Sequence, residues 1–160
     1  MAENDDSMTV RVLLGQRVRA ECFLLCDAAQ VHDGKLFVLG AGWDRLVVPQ
    51  FPSEHRFFVA IKLAVPAGEA YRPIEMRVDV RDEEGTAAGG LIPTTQVEVA
   101  RPLGYGAHED LPCMFAFEAR LNIGRPERLT FSLLVDGEPV ARTSLRITRP
   151  GAPVPAAPLG

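Results

Sequence analysis

His32 and Asp33, with Asp27 five residues ahead of the histidine, are the first side chains here that could do acid–base chemistry. An imidazole beside a carboxylate can move a proton, but catalysis also needs a third group and a pocket. Asp33-Gly34 reads instead as a turn, the usual role of an aspartate between two apolar runs. Cys22, Cys26, Cys113, His32, His55 and His108 carry the atoms that zinc would take. Structural zinc sites draw on paired ligands in C-x₂₋₄-C knuckles, whereas Cys22-x₃-Cys26 lies inside the apolar run ECFLLCD. On a strand these two thiols share a face about 13 Å apart, too far for a bridge. All three cysteines are therefore expected to be reduced, metal-free and packed as small hydrophobes. Calcium needs six or more oxygens. Asp27, Asp33, Asp82, Glu83, Glu84 and Asp136 would supply them only if all three turns met at one end of the fold.

Val38-Leu39-Gly40-Ala41-Gly42 begins like a dinucleotide-binding strand. Arg45 stands where the third glycine belongs, and a strand stopped by Pro49, not a helix, follows. Gly-x-Ser-x-Gly and His-Glu-x-x-His are absent. No catalytic residue, cofactor-binding residue or metal ligand is assigned. The chain is read as a non-enzyme with no cofactor.

The elements that position these residues are strands. Phe57, Val59, Ile61, Leu63 and Val65 alternate with Phe58, Ala60, Lys62 and Ala64. Ile74 to Arg81, Met114 to Leu121 and Leu129 to Asp136 show the same period of two, the mark of a sheet face. Shorter strands are expected at Arg19–Asp27, Lys35–Gly42, Arg45–Val48 and Gln96–Arg101, and a last one at Val140–Thr148. Asp33-Gly34, Asp82-Glu83-Glu84-Gly85 and Asp136-Gly137 are hairpin turns. Gly40 and Gly42 mark a bulge or a close backbone approach. Leu24–Asp44 is the densest block of apolar residues and turn signals, and the rest of the chain is expected to pack around it. Apolar residues nowhere recur at helical spacing for three turns. The fold class is all-β: an antiparallel two-sheet β-sandwich of immunoglobulin-like architecture, with about seven to nine strands and little or no helix. Residues 1–18 are an N-terminal arm, 19–149 the sandwich domain, and 150–160 a proline-rich extended tail.

A chain of 160 residues is long enough for one well-buried core. Its formal net charge of −4 argues against a nucleic-acid partner, which calls for a basic stripe. The start, MAENDDS, lacks the basic and apolar regions of a secretory signal, and no apolar run approaches the roughly 20 residues that span a bilayer. The expectation is a soluble cytoplasmic protein that contacts no membrane.

The blocks LLCDAAQVHDGKLFVLGAGWD, AVPAGEAYR, VRDEEG and VDGEPV carry a resemblance. Over about residues 21–148 the chain resembles an uncharacterised family of small, mostly actinobacterial β-sandwich proteins of unknown function. That resemblance implies the fold and no activity. Two functional readings follow from the residues. The first is a protein-interaction or self-assembly module, binding a protein partner or a homo-oligomer through Val10, Val12 and Leu14 of the arm and through Leu46, Val48 and Phe51. The second is a small-molecule-binding protein or enzyme with a pocket formed by Trp43, Tyr105 and His108. The first is preferred, because catalytic constellations leave traces in a sequence and none is legible.

Overall fold

A computed structural model describes residues 17–152. Val10, Val12 and Leu14 and most of the proline-rich tail lie outside the described residues.

Most of the described chain is strand. The elements are β1 (Arg19–His32), β2 (Lys35–Ala41), β3 (Arg45–Val47), β4 (Ser53–Val65), β5 (Pro73–Arg81), the two-residue β6 (Gly90–Leu91), β7 (Thr94–Glu98), β8 (Leu111–Ile123), β9 (Glu127–Val135) and β10 (Glu138–Thr148). One 3₁₀ turn, Ala67–Glu69, is the helical content of the described residues. The strands form two sheets of five, in the orders β2-β1-β4-β8-β6 (sheet A) and β3-β10-β9-β5-β7 (sheet B). The expected all-β, two-sheet organisation is therefore present. One pairing departs from the antiparallel expectation: β3 runs parallel to β10, with Arg45 opposite Arg146 and Val47 opposite Thr148. After Gly42 the chain leaves sheet A and crosses to sheet B, so β3 arrives beside β10 without a hairpin to reverse it.

The long alternating runs define the core. Phe57, Val59, Ile61, Leu63 and Val65 of β4 face Ile74, Met76, Val78 and Val80 of β5 and Leu129, Phe131 and Leu133 of β9, all essentially buried. The rings of Phe57 and Phe131 meet edge to face at 5.9 Å and tie sheet A to sheet B. Each such side chain contributes about 1.5–3 kcal/mol by leaving water. Among the described residues no polar or charged residue is buried, so the core carries no desolvated charge.

The Leu24–Asp44 block is not the centre that its composition suggests. β4 lies at the middle of sheet A, with β1 on one side and β8 on the other, while β2 is the edge strand. β1 continues past Asp27 to His32, and beyond Cys26 it pairs with β2 alone. The β1–β2 hairpin thus parts from β4 beyond Cys26 as a two-stranded ribbon, and Phe37 and Leu39 on it stay exposed. Its turn is as expected, with Asp33 and Gly34 both at positive φ (49° and 68°). The close approach expected near Gly40 is also present. A Cβ there would sit 2.1 Å from Asp27 Oδ2, and Gly40 has φ +62°.

Candidate functional site

Trp43 lies on the link between β2 and β3 and is half-buried. Its indole packs edge-on against Phe57 (6.1 Å) and His55 (6.3 Å), in the first half of β4. Its Nε1 is buried and has no hydrogen-bond acceptor among the described residues. Burial pushes the His55 imidazole below its ordinary pKa, with Asp27 pulling weakly the other way. Tyr105 and His108 occupy the loop before β8, both exposed to solvent. Tyr105 is close enough to Lys62 to act on its charge. Lys62 is seven residues beyond His55 on β4, which is about 23 Å along a strand. Trp43 and Tyr105 therefore lie toward opposite ends of sheet A and do not share a pocket.

The thiols are similarly separated. Cys22 and Cys26 lie opposite Lys62 and Phe58 on the outer face of sheet A, whereas Cys113 lies opposite Leu63 and packs against the core. All three are free. Burial raises all three pKa values, that of Cys113 to about 11, so the nucleophilic thiolate is scarce at neutral pH. Among the described residues no three His, Cys, Asp or Glu side chains are grouped as metal ligands would be. Leu46, Val48 and Phe51 turn inward. Val48 is 5% exposed, and Leu46 and Phe51 pack on the core, with Arg149 lying 5.4 Å over the Phe51 ring. They are not the surface that the sequence reading made of them. A strand beside a sheet edge presents alternate residues to opposite sides, and here the outward one is Val47, 53% exposed.

The surface that does stand out is the outer face of sheet A with its β2 edge. The register places Leu24 opposite Ala60 and Cys26 opposite Phe58, and Ala60 opposite Ala116 and Lys62 opposite Met114. This is the second side of a sheet whose first side already lines the core. An antiparallel sheet with one wet face normally alternates apolar with polar residues. Here the outer face is also apolar through its middle, where Cys26 and Ala60 are fully buried among their neighbours and Leu24, Phe58, Met114 and Ala116 are half-buried. Lys62 Nζ donates to Glu21 Oε2 at 2.6 Å, which raises its pKa, and Arg120 is paired with Glu118 at 3.3 Å. The face continues onto β2, where Phe37 is 48% and Leu39 71% exposed. The signal was in the sequence: Phe58, Ala60, Ala64, Met114 and Ala116 occupy the non-core positions of their strands, where polar residues would be expected.

A groove of about 500 Å³ opens at another corner, lined by Val18 just before β1 and Ala20 within it, by Glu69 and Arg72, and by Glu138, Pro139 and Val140. Three of its charged residues are locked together. Arg72 donates to Glu69 and, at 2.7 Å, to Asp136 Oδ2, while Asp136 Oδ1 accepts the Glu75 N–H at 3.0 Å. Partial burial works against the Asp136 carboxylate, but the Arg72 and Glu75 hydrogen bonds outweigh it and hold its pKa below the ordinary value.

A family profile described as a family of unknown function (DUF6941) matches residues 21–148. No curated protein matches the chain. Among solved structures, the chain is similar to a Pseudomonas fluorescens alkylpurine DNA glycosylase, AlkC, bound to DNA containing an abasic site analog. The identity is 10% and the TM-score 0.43, over 86% of this chain and 32% of the glycosylase, so the chain spans about a third of that protein.

Proposed function

The chain belongs to the DUF6941 family, whose function is unknown, and from that premise we propose that it is a non-enzymatic protein-interaction or self-assembly module. One observation carries the reading: the β2 edge, unpaired among the described residues, exposes Phe37 and Leu39 beside the apolar outer face of sheet A. An unguarded edge offers unpaired N–H and C=O groups to another strand, and the neighbouring apolar surface rewards the pairing. Natural edges are usually blunted by charge or proline, and the only charge on β2 is Lys35, at the turn. Partners on this reading are another protein or a second copy of this chain, with neither nucleic acid nor membrane involved.

An immunoglobulin-like sandwich is part of the same proposal. The orders β1-β4-β8-β6 and β5-β9-β10 follow the ABED and CFG arrangement of that architecture, with β2, β3 and β7 added. Cytoplasmic residence fits three free cysteines. An actinobacterial setting fits a chain in which Lys35 and Lys62 are the only lysines among 17 basic residues.

The test is molar mass by light scattering, at rising concentration, for the full chain and for a Phe37→Lys/Leu39→Lys variant. The wild-type mass should exceed that of one 17.4 kDa chain, and the variant should revert to it while keeping its melting temperature. A single-chain mass for both proteins at every concentration, together with identical captured partners, would remove the reading.

A further inference from the structure

Backbone geometry fixes which groups β2 presents on the side away from β1. Asp33 and Gly34, at φ 49° and 68°, form a two-residue turn, so His32 and Lys35 on either side of it are a hydrogen-bonded pair. Such pairs alternate along an antiparallel ladder, so Gln30 with Phe37 and Ala28 with Leu39 are hydrogen-bonded as well. Leu36 and Val38, opposite Val31 and Ala29, therefore turn their N–H and C=O groups away from β1. Among the described residues no strand meets them there. Gly40 follows at φ +62°, which ends the extended run. The side chains alternate too. Cys26 stands opposite both Ala41 and Phe58, which places Leu39, Phe37 and Lys35 on the outer face of sheet A and Leu36 and Val38 on the other side.

Resting on the interface reading above, we propose that the occupant of this edge is β2 of a second copy, antiparallel about a two-fold axis at Phe37. The backbone sets the axis. A register symmetric about a two-fold must pair outward-facing residues with outward-facing ones. Centred on Phe37, Leu36 pairs with the partner's Val38 and Val38 with the partner's Leu36. Every outward N–H and C=O of the extended run then finds a partner. Centring on Val38 or Leu39 brings Gly40 into the ladder, and centring on Leu36 brings in Gly34, and neither glycine is extended. The side chains suit the same register. Phe37 meets the partner's Phe37 on the outer face as a non-hydrogen-bonded pair, the arrangement in which cross-strand side chains come closest. Leu39, 71% exposed, lies opposite the aliphatic stem of the partner's Lys35. The charges are compatible as well. Lys35 is the only charge on β2, and the two copies of it stand about 14 Å apart along the strands. A second copy thus supplies a strand that already matches in hydrogen bonds, apolar contact and charge. The paired stretch is short against the roughly 800 Å² per partner of a stable interface, so the dimer belongs to high protein concentration.

The experiment uses the full chain. Amide hydrogen exchange of the wild type is followed residue by residue as its concentration rises from about 10 μM to about 1 mM. The Leu36 and Val38 amides should slow about tenfold or more, while those of Phe37 and Leu39, already bonded to β1, should not change. Oxidative trapping reads the register. In a non-hydrogen-bonded pair the Cα atoms lie about 4.5 Å apart, within disulfide reach. Phe37→Cys should therefore give a disulfide-linked dimer about tenfold or more faster than Leu39→Cys, whose two copies stand about 14 Å apart. Wild-type chains, with their native thiols alone, set the background. Leu36 and Val38 exchange that ignores concentration, or equal linkage of the two variants, would overturn the proposal. If light scattering or partner capture still shows association in that case, the interface reading stands without this occupant. If neither does, both fall.

Discussion

Asp136 shows how a single residue is held by several causes at once. It has φ +50° in the turn between β9 and β10, accepts the Glu75 N–H, and is bound by Arg72. Asp136→Ala should cost about 1–2 kcal/mol, through the lost hydrogen bonds and an alanine forced to positive φ. Asp136→Asn, whose side chain tolerates that backbone, should cost less. The sign with pH follows from the lowered pKa. The wild-type contribution is present above the ordinary carboxylate value of 3.8 and is lost as pH falls through the folded value. Urea midpoints measured from pH 6 to 3 should fall less steeply for the asparagine variant. His55 has the same sign in a higher window. Its folded pKa lies below 6.5, so below that pH the unfolded chain takes up the proton first and stability declines. His55→Gln should flatten the decline just below 6.5. Because Trp43 is the sole tryptophan and touches His55, its emission should titrate in the wild type and not in the variant.

At the scale of elements, position in the sheet outweighs apolar composition. Ile61 in β4 and Leu39 in β2 are both aliphatic residues in apolar strands, but Ile61 is fully buried and Leu39 is 71% exposed. Ile61→Ala should cost about 2–5 kcal/mol, and Leu39→Ala should stay within about 0.5 kcal/mol, as chemical denaturation would show. Equal costs would return the core to the Leu24–Asp44 block. β6 depends on closeness of another kind. A Cβ at Gly90 would lie 2.1 Å from the backbone carbonyl oxygen of Arg120, and Gly90 has φ +147°. Gly90→Ala should therefore detach β6 from β8 at about 1–3 kcal/mol, read as faster exchange of the Asn122 amide, which donates to Gly89 O at 3.0 Å. The strands and their hairpin turns were legible because alternation and Asp-Gly chemistry are local. β6 was not, because two residues carry no period.

For the molecule as a whole, the interface reading makes a prediction about salt. Each chain carries a net charge of −4, and copies meeting through β2 and the apolar face repel at long range. Raising sodium chloride from low to several hundred millimolar should therefore strengthen self-association measured by sedimentation. An interface held by ion pairs would weaken under the same change.

What the sequence determined by itself was the all-β class, the two buried faces of alternating residues, the Asp33-Gly34 and Asp136-Gly137 turns and the absence of a legible catalytic motif. These depend on neighbours two to four residues apart. Tertiary structure decided the rest. Only the pairing of β4 with both β1 and β8 reveals that β2 is an edge, so that Phe37 and Leu39 remain in solvent while Val48, equally apolar, is buried. Only the crossover after Gly42 sets Trp43 against His55 and leaves Tyr105 near Lys62 at the other end of β4. A side chain's burial depends on which strands lie beside and above it, and in sheet A the paired residues on either side of β4 lie 32 to 70 positions away in the chain.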